Sequence, residues 1–558
     1  MKSSLEIAQE ATLRPIMDIA REIGLEEDEV DLYGKYKGKV SLGALDRLAE
    51  VPDAKIVCVS AISPTKAGEG KTTTSVSLTQ GFGHIGKRPV LCLREPSLGP
   101  IFGIKGGAAG GGLTQVVPME DLNLHFTGDF HAIAAANNML AAFVDRHMFY
   151  GNDADIDPHR VTWRRAIDMN DRHLRNVITG LGGATHGIPR ETGFDIVAAS
   201  EVMAIMGMAT SLQDLRRRIG RITVGYDTSG TPVTAEQMGC AGAMTVLLKD
   251  ALKPNLIQTL EGQPCFMHIG PFGNIAHGNS SIVADLVGRK VGDYVITEAG
   301  FGSDLGMEKF MDIVCRAGGF GPSAVVVVAT AKALKHHAGL EDDPRTSAAD
   351  NLKAIETGSA NLARHIQNVK AFGLPCVVAA NRFPGDTDDE VALVQRLAME
   401  HGAHAAVLNE GFSQGGAGAA DMAEAVADAC EQPNSFNFIY DDSDPIDTKI
   451  EKIATRVYQA DGVDFLPAAR QKIDQFTRDG LSGLSICMAK THLSLSADPA
   501  AVNAPTGFRI PVRDMRPYTG AGFLTALCGD IMQMPGLGKT PAGFNVDIDE
   551  DGRTVGLF

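Results

Sequence analysis

The segment Ala67-Gly68-Glu69-Gly70-Lys71-Thr72-Thr73-Thr74 constrains the fold more than any other part of the chain. It follows a short apolar run, Lys55-Ile56-Val57-Cys58-Val59-Ser60-Ala61, and opens an amphipathic segment with helical spacing. Strand, glycine-bearing turn, Lys-Thr and helix is the order of a phosphate-binding loop. Small residues let backbone N–H groups converge on an anion. The helix start adds partial positive charge, and Lys71 adds a full one. The Thr72 hydroxyl is placed to reach a Mg²⁺ ion. The usual pattern, G-x-x-x-x-G-K-[ST], has glycine where this chain has Thr65. The candidate nucleotide contacts are Thr65, Lys66, Ala67, Gly68, Glu69, Gly70, Lys71 and Thr72. The rival reading is an ordinary β–α turn whose lysine is merely solvated.

At 558 residues, the chain exceeds one ordinary core, and two to four domains are expected. Its 44% hydrophobic and 21% charged residues are those of a soluble globular protein. No apolar run reaches the length of a membrane span, and early acidic residues exclude a secretory signal. The nine cysteines are scattered without metal-ligand spacing. Cys58, Cys92, Cys265 and Cys376 lie in strand-like apolar runs and read as buried thiols, which points to the cytoplasm. A net charge of −17 argues against a nucleic-acid partner. For anionic substrates, positive charge must then be concentrated at the site, which singles out Lys71, Arg94 and Lys105.

The 62 glycines are the compositional outlier. They cluster at Gly103–Gly112, Gly180–Gly187, Gly270–Gly278, Gly300–Gly306 and Gly411–Gly418, mostly after apolar runs. Loops at strand ends, with unusual backbone angles or close ligand approach, explain that placement. Strands are expected at Asp53–Ala61, Pro89–Leu93, Pro264–Ile269, Tyr294–Thr297, Ala324–Thr330, Cys376–Ala380 and Ala405–Leu408. Helical periods at Asn351–Lys370 and Asp389–His401 separate some of them. The pattern indicates an α/β fold with a mostly parallel, doubly wound sheet flanked by helices. Ligands in such sheets bind at the carboxyl ends of strands. The expected division is a nucleotide-binding domain from 1–112 and 242–361, a second, more helical domain over 113–241, and a C-terminal α/β domain over 362–558. Residues 1–50 carry no site signal.

The motif Arg94-Glu95-Pro96-Ser97-Leu98-Gly99-Pro100 leads to Lys105-Gly106-Gly107-Ala108-Ala109-Gly110-Gly111-Gly112 and then to Thr127-Gly128-Asp129. With Thr259-Leu260-Glu261-Gly262, Gly270-Pro271-Phe272-Gly273-Asn274-Ile275-Ala276-His277-Gly278, Thr297-Glu298-Ala299-Gly300-Phe301-Gly302 and Cys487-Met488-Ala489-Lys490-Thr491, the chain resembles formate–tetrahydrofolate ligase over nearly its whole length. The resemblance implies a P-loop core with two further domains, arranged as a homotetramer, in the monofunctional form. The implied activity joins formate to N10 of tetrahydrofolate with MgATP, through formyl phosphate, in one-carbon metabolism. Potassium or ammonium is the implied monovalent cation. Relatives carry Pro at the place of Lys66, and often Trp at the place of Phe412.

Read onto the residues, Lys71 and Thr72 serve phosphoryl transfer. Arg94 follows the strand Pro89–Leu93, and its guanidinium fork suits carboxylate or phosphate, so it is the expected holder of formate and formyl phosphate. Glu298 resembles the Mg²⁺-side acid of related synthetases, and Glu95 is the candidate for the monovalent cation. N10 must lose a proton. Asp129 is the first candidate acceptor, ahead of His131 and His125, although Asp129 could equally orient Arg94. The pterin slot falls to Phe383 and Phe412 through the resemblance. The rival enzyme reading is a P-loop ATPase or synthetase of the dethiobiotin-synthetase or partition-ATPase type. The rival non-enzymatic reading is a nucleotide-binding scaffold. The rival enzyme would not need the segment Arg94–Gly112 or the two phenylalanine sites, and intact Lys71, Arg94 and Asp129 argue against the scaffold.

Overall fold

The computed structural model describes residues 2–65, 68–103, 109–341, 343 and 345–557. Its centre is a 12-stranded sheet. Seven strands run parallel, in the spatial order Pro264–Met267, Pro89–Leu93, Tyr294–Glu298, Lys55–Ala61, Ala324–Ala329, Cys376–Asn381 and Ala405–Asn409. Beyond Pro264–Met267, the sheet continues antiparallel through Asn255–Thr259, Gly38–Val40 and Val30–Leu32.

The parallel strands are almost continuously apolar because both faces are covered. Side chains alternate across the sheet. Ile56, Cys58, Val90, Cys92, Val295, Val325 and Val327 belong to one core, and Val57, Val59, Leu91, Leu93, Ile296, Val326 and Val328 to another. Helix Lys71–His84 packs on the second face and runs through the interior from Thr74 to Phe82. Gly81 allows its close approach, since a Cβ there would stand 2.6 Å from the Ala419 carbonyl oxygen. Helices Ile282–Val291 and Ala348–Ala371 pack near the first face.

The strand expectations hold to within a residue or two, and both helical periods form, as Ala348–Ala371 and Asp388–Glu400. Two features differ. Strands Cys376–Asn381 and Ala405–Asn409 extend the central sheet, so the sheet runs across the expected 361/362 boundary. Residues 151–235 carry more strand than expected, including Ile156–Val161, Thr223–Asp227 and Pro232–Thr234 in one small sheet. These strands are short and half-exposed, so they leave no apolar run in the sequence. All nine cysteines are buried free thiols. No described helix is long and apolar enough to cross a membrane.

The C-terminal region forms a three-stranded sheet of Ser485–Ala489, Phe523–Leu527 and Asp514–Tyr518. It is joined to helix Glu201–Met208 by Glu201, whose carboxylate accepts the Gly520 N–H at 2.7 Å. Burial pushes the Glu201 carboxyl up to about 8, although the Gly520 and Ala521 N–H groups oppose the shift. A raised folded-state value means that the folded protein holds the proton more tightly. The corresponding stability is full below the ordinary value of 4.5 and is lost as pH rises to about 8. Glu201→Gln is expected to flatten the pH dependence of Tm across that window, which thermal denaturation from pH 5 to 8 will measure.

Candidate active site

The register of three neighbouring strands assembles the site. Thr297 pairs with Cys58 on one side and Cys92 on the other, so Glu298 ends its strand between the phosphate loop and Arg94. At a strand spacing of about 4.8 Å, the outer two strand ends lie roughly 10 Å apart. The strand Pro89–Leu93 is next in sequence after helix Lys71–His84, yet Tyr294–Glu298 separates it from Lys55–Ala61. This is a switch point of an open sheet, where a crevice forms.

Gly68 and Gly70 take left-handed φ values of 75° and 77°. An L-side chain would be strained at either. Lys71 and Thr72 begin the helix and are partly exposed. Glu69 folds back inside the loop, its carboxylate accepting the Thr65 N–H at 2.6 Å. Lys66, Ala67, Lys105, the run 106–108 and Phe558 lie outside the described residues.

A hydrogen-bonded chain ties the loop to the last two sheet strands. Asn381 Nδ2 donates to the Glu69 carbonyl at 2.9 Å, and Asn409 Nδ2 donates to Asn381 Oδ1 at 2.8 Å. Ser77 Oγ and the Gly411 N–H both donate to Asn409 Oδ1, at 2.7 and 3.1 Å. Phe383 and Phe412 follow these strands. Phe412 is 45% exposed. Its ring lies over Gly111 and Gly112, and its carbonyl accepts the Leu113 N–H at 2.9 Å. The next turn is held by Glu261, which accepts the Gly416 N–H at 2.7 Å.

Arg94 Nη1 donates to the Pro271 carbonyl at 3.1 Å, while Nη2 stands 4.0 Å from Glu298 Oε1. The Arg94 side chain retains 27% exposure, so part of its fork faces the crevice. Burial lowers the guanidinium's basicity and Glu298 restores part of it, which leaves the group charged. Gly300 allows the contact, since a Cβ there would meet Arg94 Nη2 at 3.2 Å. Glu298 Oε2 is buried without a hydrogen-bond partner among the described residues. His277, from the same glycine loop as Pro271, is fully buried. Burial first, then the charges of Arg94, Lys309 and Arg218, hold its pKa down to about 3 and keep it neutral.

Beneath Arg94 lies a buried ionic group. Lys39 Nζ pairs with Asp129 Oδ1 at 2.8 Å, and both side chains are 1% exposed. Asn255 Nδ2 donates to Asp129 Oδ2 at 2.8 Å. Glu95 adjoins Asp129. Burial and the Asp129 charge push the Glu95 carboxyl well above its ordinary range, against the pull of Lys39. Glu95 Oε2 has no hydrogen-bond partner among the described residues. The Glu95 N–H donates at 2.8 Å to the carbonyl of Ile269, a β-branched residue with φ of 43°. Such strain persists only where the surroundings enforce it. Asp168 fixes the turn after Glu95 by accepting Ser97 Oγ at 2.5 Å and the Leu98 N–H at 2.9 Å. His125 and His131 are exposed.

A family profile described as formate–tetrahydrofolate ligase matches residues 2–558. The chain belongs to the formate–tetrahydrofolate ligase family. A protein of that name from Desulforamulus reducens is 55% identical across 100% of this chain and 99% of its own. Namesakes from Saccharopolyspora erythraea and Symbiobacterium thermophilum are 52% and 53% identical, also across 100% of this chain and 99% and 100% of theirs.

In this ligase, Lys71, Thr72, Glu298 and Arg94 come together at adjacent strand ends. Asp129 adjoins Glu95, the chain neighbour of Arg94, while Phe383 and Phe412 follow strands on the other side of Lys55–Ala61. Both Asp129 oxygens are already engaged by Lys39 and Asn255, a geometry that suits holding Glu95 better than accepting a substrate proton. Sequence reasoning missed Lys39 altogether, because its partner lies 90 residues further on. Asn381 and Asn409 were equally silent, although an asparagine ending a buried apolar strand is a signal that could have been used. Among the described residues, no group of three or more His, Cys, Asp or Glu side chains is arranged to hold a metal.

Removing one partner of a buried pair strands the other charge, which typically costs about 3–5 kcal/mol. Lys39→Met is therefore expected to destabilise the protein by about that amount in urea denaturation. Lys39→Met with Asp129→Leu should recover most of the loss.

Proposed function

We propose that this ligase joins formate to N10 of tetrahydrofolate at the expense of MgATP, giving 10-formyltetrahydrofolate, ADP and phosphate by way of formyl phosphate. The observation that carries the reading is the convergence of phosphate loop, Glu298 and Arg94 on three adjacent strand ends. A site for phosphate and a fork for carboxylate thus share one crevice.

The first step is phosphoryl transfer, whose barrier falls through positioning and charge neutralisation. Lys71 and the N–H groups at the helix start hold the phosphates. Arg94 holds the formate carboxylate, and one of its oxygens attacks the γ-phosphorus as the bond to ADP breaks. Thr72 and Glu298 fit a Mg²⁺ ion: the hydroxyl is partly open at the helix start, and the orphaned Glu298 oxygen needs a positive partner. When bound, Mg²⁺ neutralises the charge on the phosphates.

In the second step, N10 attacks the formyl carbon, the C–O bond to phosphate breaks, and Arg94 stabilises the developing oxyanion. Asp129 acts as a positioning residue through Glu95. The orphaned Glu95 oxygen, on a carboxyl raised by burial, suits a monovalent cation such as potassium or ammonium, which would favour its ionised form. Phe383 and the half-exposed Phe412 supply the faces for the pterin.

We further infer a cytoplasmic homotetramer. Buried free thiols suit a reducing compartment. The packed helices Asp129–Phe149 and Ala241–Leu248 expose Phe143, Phe149, Val246 and Leu247, apolar surface of the kind that assembly covers.

ADP release is expected to require formate, and formyl product to require tetrahydrofolate as well. ATP hydrolysis indifferent to both would overturn the reading. Arg94→Ser should lower the rate of formyl transfer by about 10²–10³-fold, the range seen on removal of one oxyanion donor. Lys71→Ala should abolish formate-dependent ADP formation.

A further inference from the structure

Phe301 stands three residues beyond Glu298 with φ of 62°, a left-handed conformation that is costly for a bulky aromatic residue. Its two chain neighbours are glycines. Gly300 packs on the Arg94 guanidinium. The Phe301 ring lies over Gly273, where a Cβ would approach Cδ2 and Cε2 to 3.2 Å. Gly273 belongs to the same loop as Pro271, the backbone acceptor of Arg94. The strained backbone therefore turns an aromatic ring over the loop that holds Arg94.

A second ring covers the first. His492 stacks on Phe301 with centroids 4.4 Å apart and planes 27° from parallel. His492 is supplied by the C-terminal region, and its position is set from below. Lys490, two residues earlier, pairs with Asp304 at 2.7 Å, with exposures of 0% and 2%. Lys490 also donates to the Thr491 carbonyl at 3.1 Å and to the Ser494 carbonyl, and lies 5.0 Å from the Tyr458 ring centroid. Lys309, itself buried, donates to the Gly273 carbonyl at 2.8 Å and fixes the floor under Phe301. Phe301 and His492 thus reach the stack from opposite sides, three residues before Asp304 and two after Lys490, the two partners of that buried pair. Both rings remain partly exposed.

We propose that the Phe301–His492 stack shields the Arg94 side of the crevice from water and so determines which nucleophile receives the formyl group. This inference rests on the formyl phosphate reading above. In productive transfer, the N10 lone pair forms a C–N bond, the C–O bond to phosphate breaks, and the amine proton passes to the departing phosphate. In the competing reaction, a water oxygen attacks the same carbon and the same C–O bond breaks. Formate and phosphate then return, with a proton released to solvent. The two differ only in access to the formyl carbon. A ring pair beside the cation that holds the acyl phosphate lowers the local water concentration without touching the reacting atoms.

The test compares the full-length protein with Phe301→Gly, His492→Ala and Phe301→Tyr. Glycine accepts the left-handed backbone, so the first variant removes the ring without adding strain. Two quantities are read: phosphate released with ATP and formate but no tetrahydrofolate, and the ratio of phosphate to 10-formyltetrahydrofolate when the folate is present. The unaltered protein should give a ratio near one. Phe301→Gly and His492→Ala should raise the ratio at least about threefold, and Phe301→Tyr, which keeps the ring, should restore it. A purely structural role would lower both rates together and leave the ratio unchanged, and that result overturns the shield. If the unaltered protein forms no formylated folate, the proposed function falls instead.

Discussion

Parallel pairing between Lys55–Ala61, Tyr294–Glu298 and Pro89–Leu93 underlies everything else at the site. None of the three strands adjoins the next in sequence, so the helix after the phosphate loop must cross over a strand that arrives some 200 residues later. That crossing opens the crevice. It also sets the distance between the glycine loop before Lys71 and the Arg94 guanidinium. A one-residue slip of Tyr294–Glu298 would turn Glu298 to the other face of the sheet and leave Arg94 without its counter-charge.

The chain is strongly acidic overall, yet its interior uses cations as fasteners. Lys39, Lys309, Lys449 and Lys490 are all essentially fully buried. Lys39 meets a carboxylate and a carbonyl, Lys490 meets a carboxylate and two carbonyls, and Lys449 meets two carbonyls. Each is expensive to bury and is compensated by hydrogen-bond acceptors, with a carboxylate among them for Lys39 and Lys490 and carbonyls for Lys309 and Lys449. Lys39 holds Asp129 beside Glu95, and Lys309 holds the loop whose Pro271 carbonyl accepts from Arg94.

The central sheet was legible because strands covered on both faces must be apolar throughout, and seven such runs stand out between helical periods. The turn before helix Lys71–His84 was legible because its backbone needs glycine at two left-handed positions. The small sheets between residues 151 and 235 were not, since half-exposed strands of three to six residues carry no distinctive period. Lys39 was invisible for a different reason. A lysine in a short strand near the N-terminus looks solvated until Asp129 and Asn255 are folded around it. The roles of Phe383 and Phe412 came from likeness to a family, because nothing in an isolated phenylalanine separates a ligand face from a core residue.

The asparagine chain from Glu69 through Asn381 and Asn409 to Gly411 makes the phosphate loop and the Phe412 turn one mechanical body. Six groups share it, because Thr74 Oγ1 joins Glu69, Asn381, Asn409, Ser77 and Gly411 through its contact with Asn381. A shift of the Glu69 carbonyl alters the hydrogen bonding of Asn381, whose Nδ2 also donates to Thr74 Oγ1 at 2.9 Å, and through Asn381 that of Asn409. The geometry of the glycine loop and that of the Phe412 turn are therefore mechanically coupled. Under the proposed function, free energy that one ligand spends in ordering this chain is no longer required of the other, and by reciprocity the effect is equal in both directions.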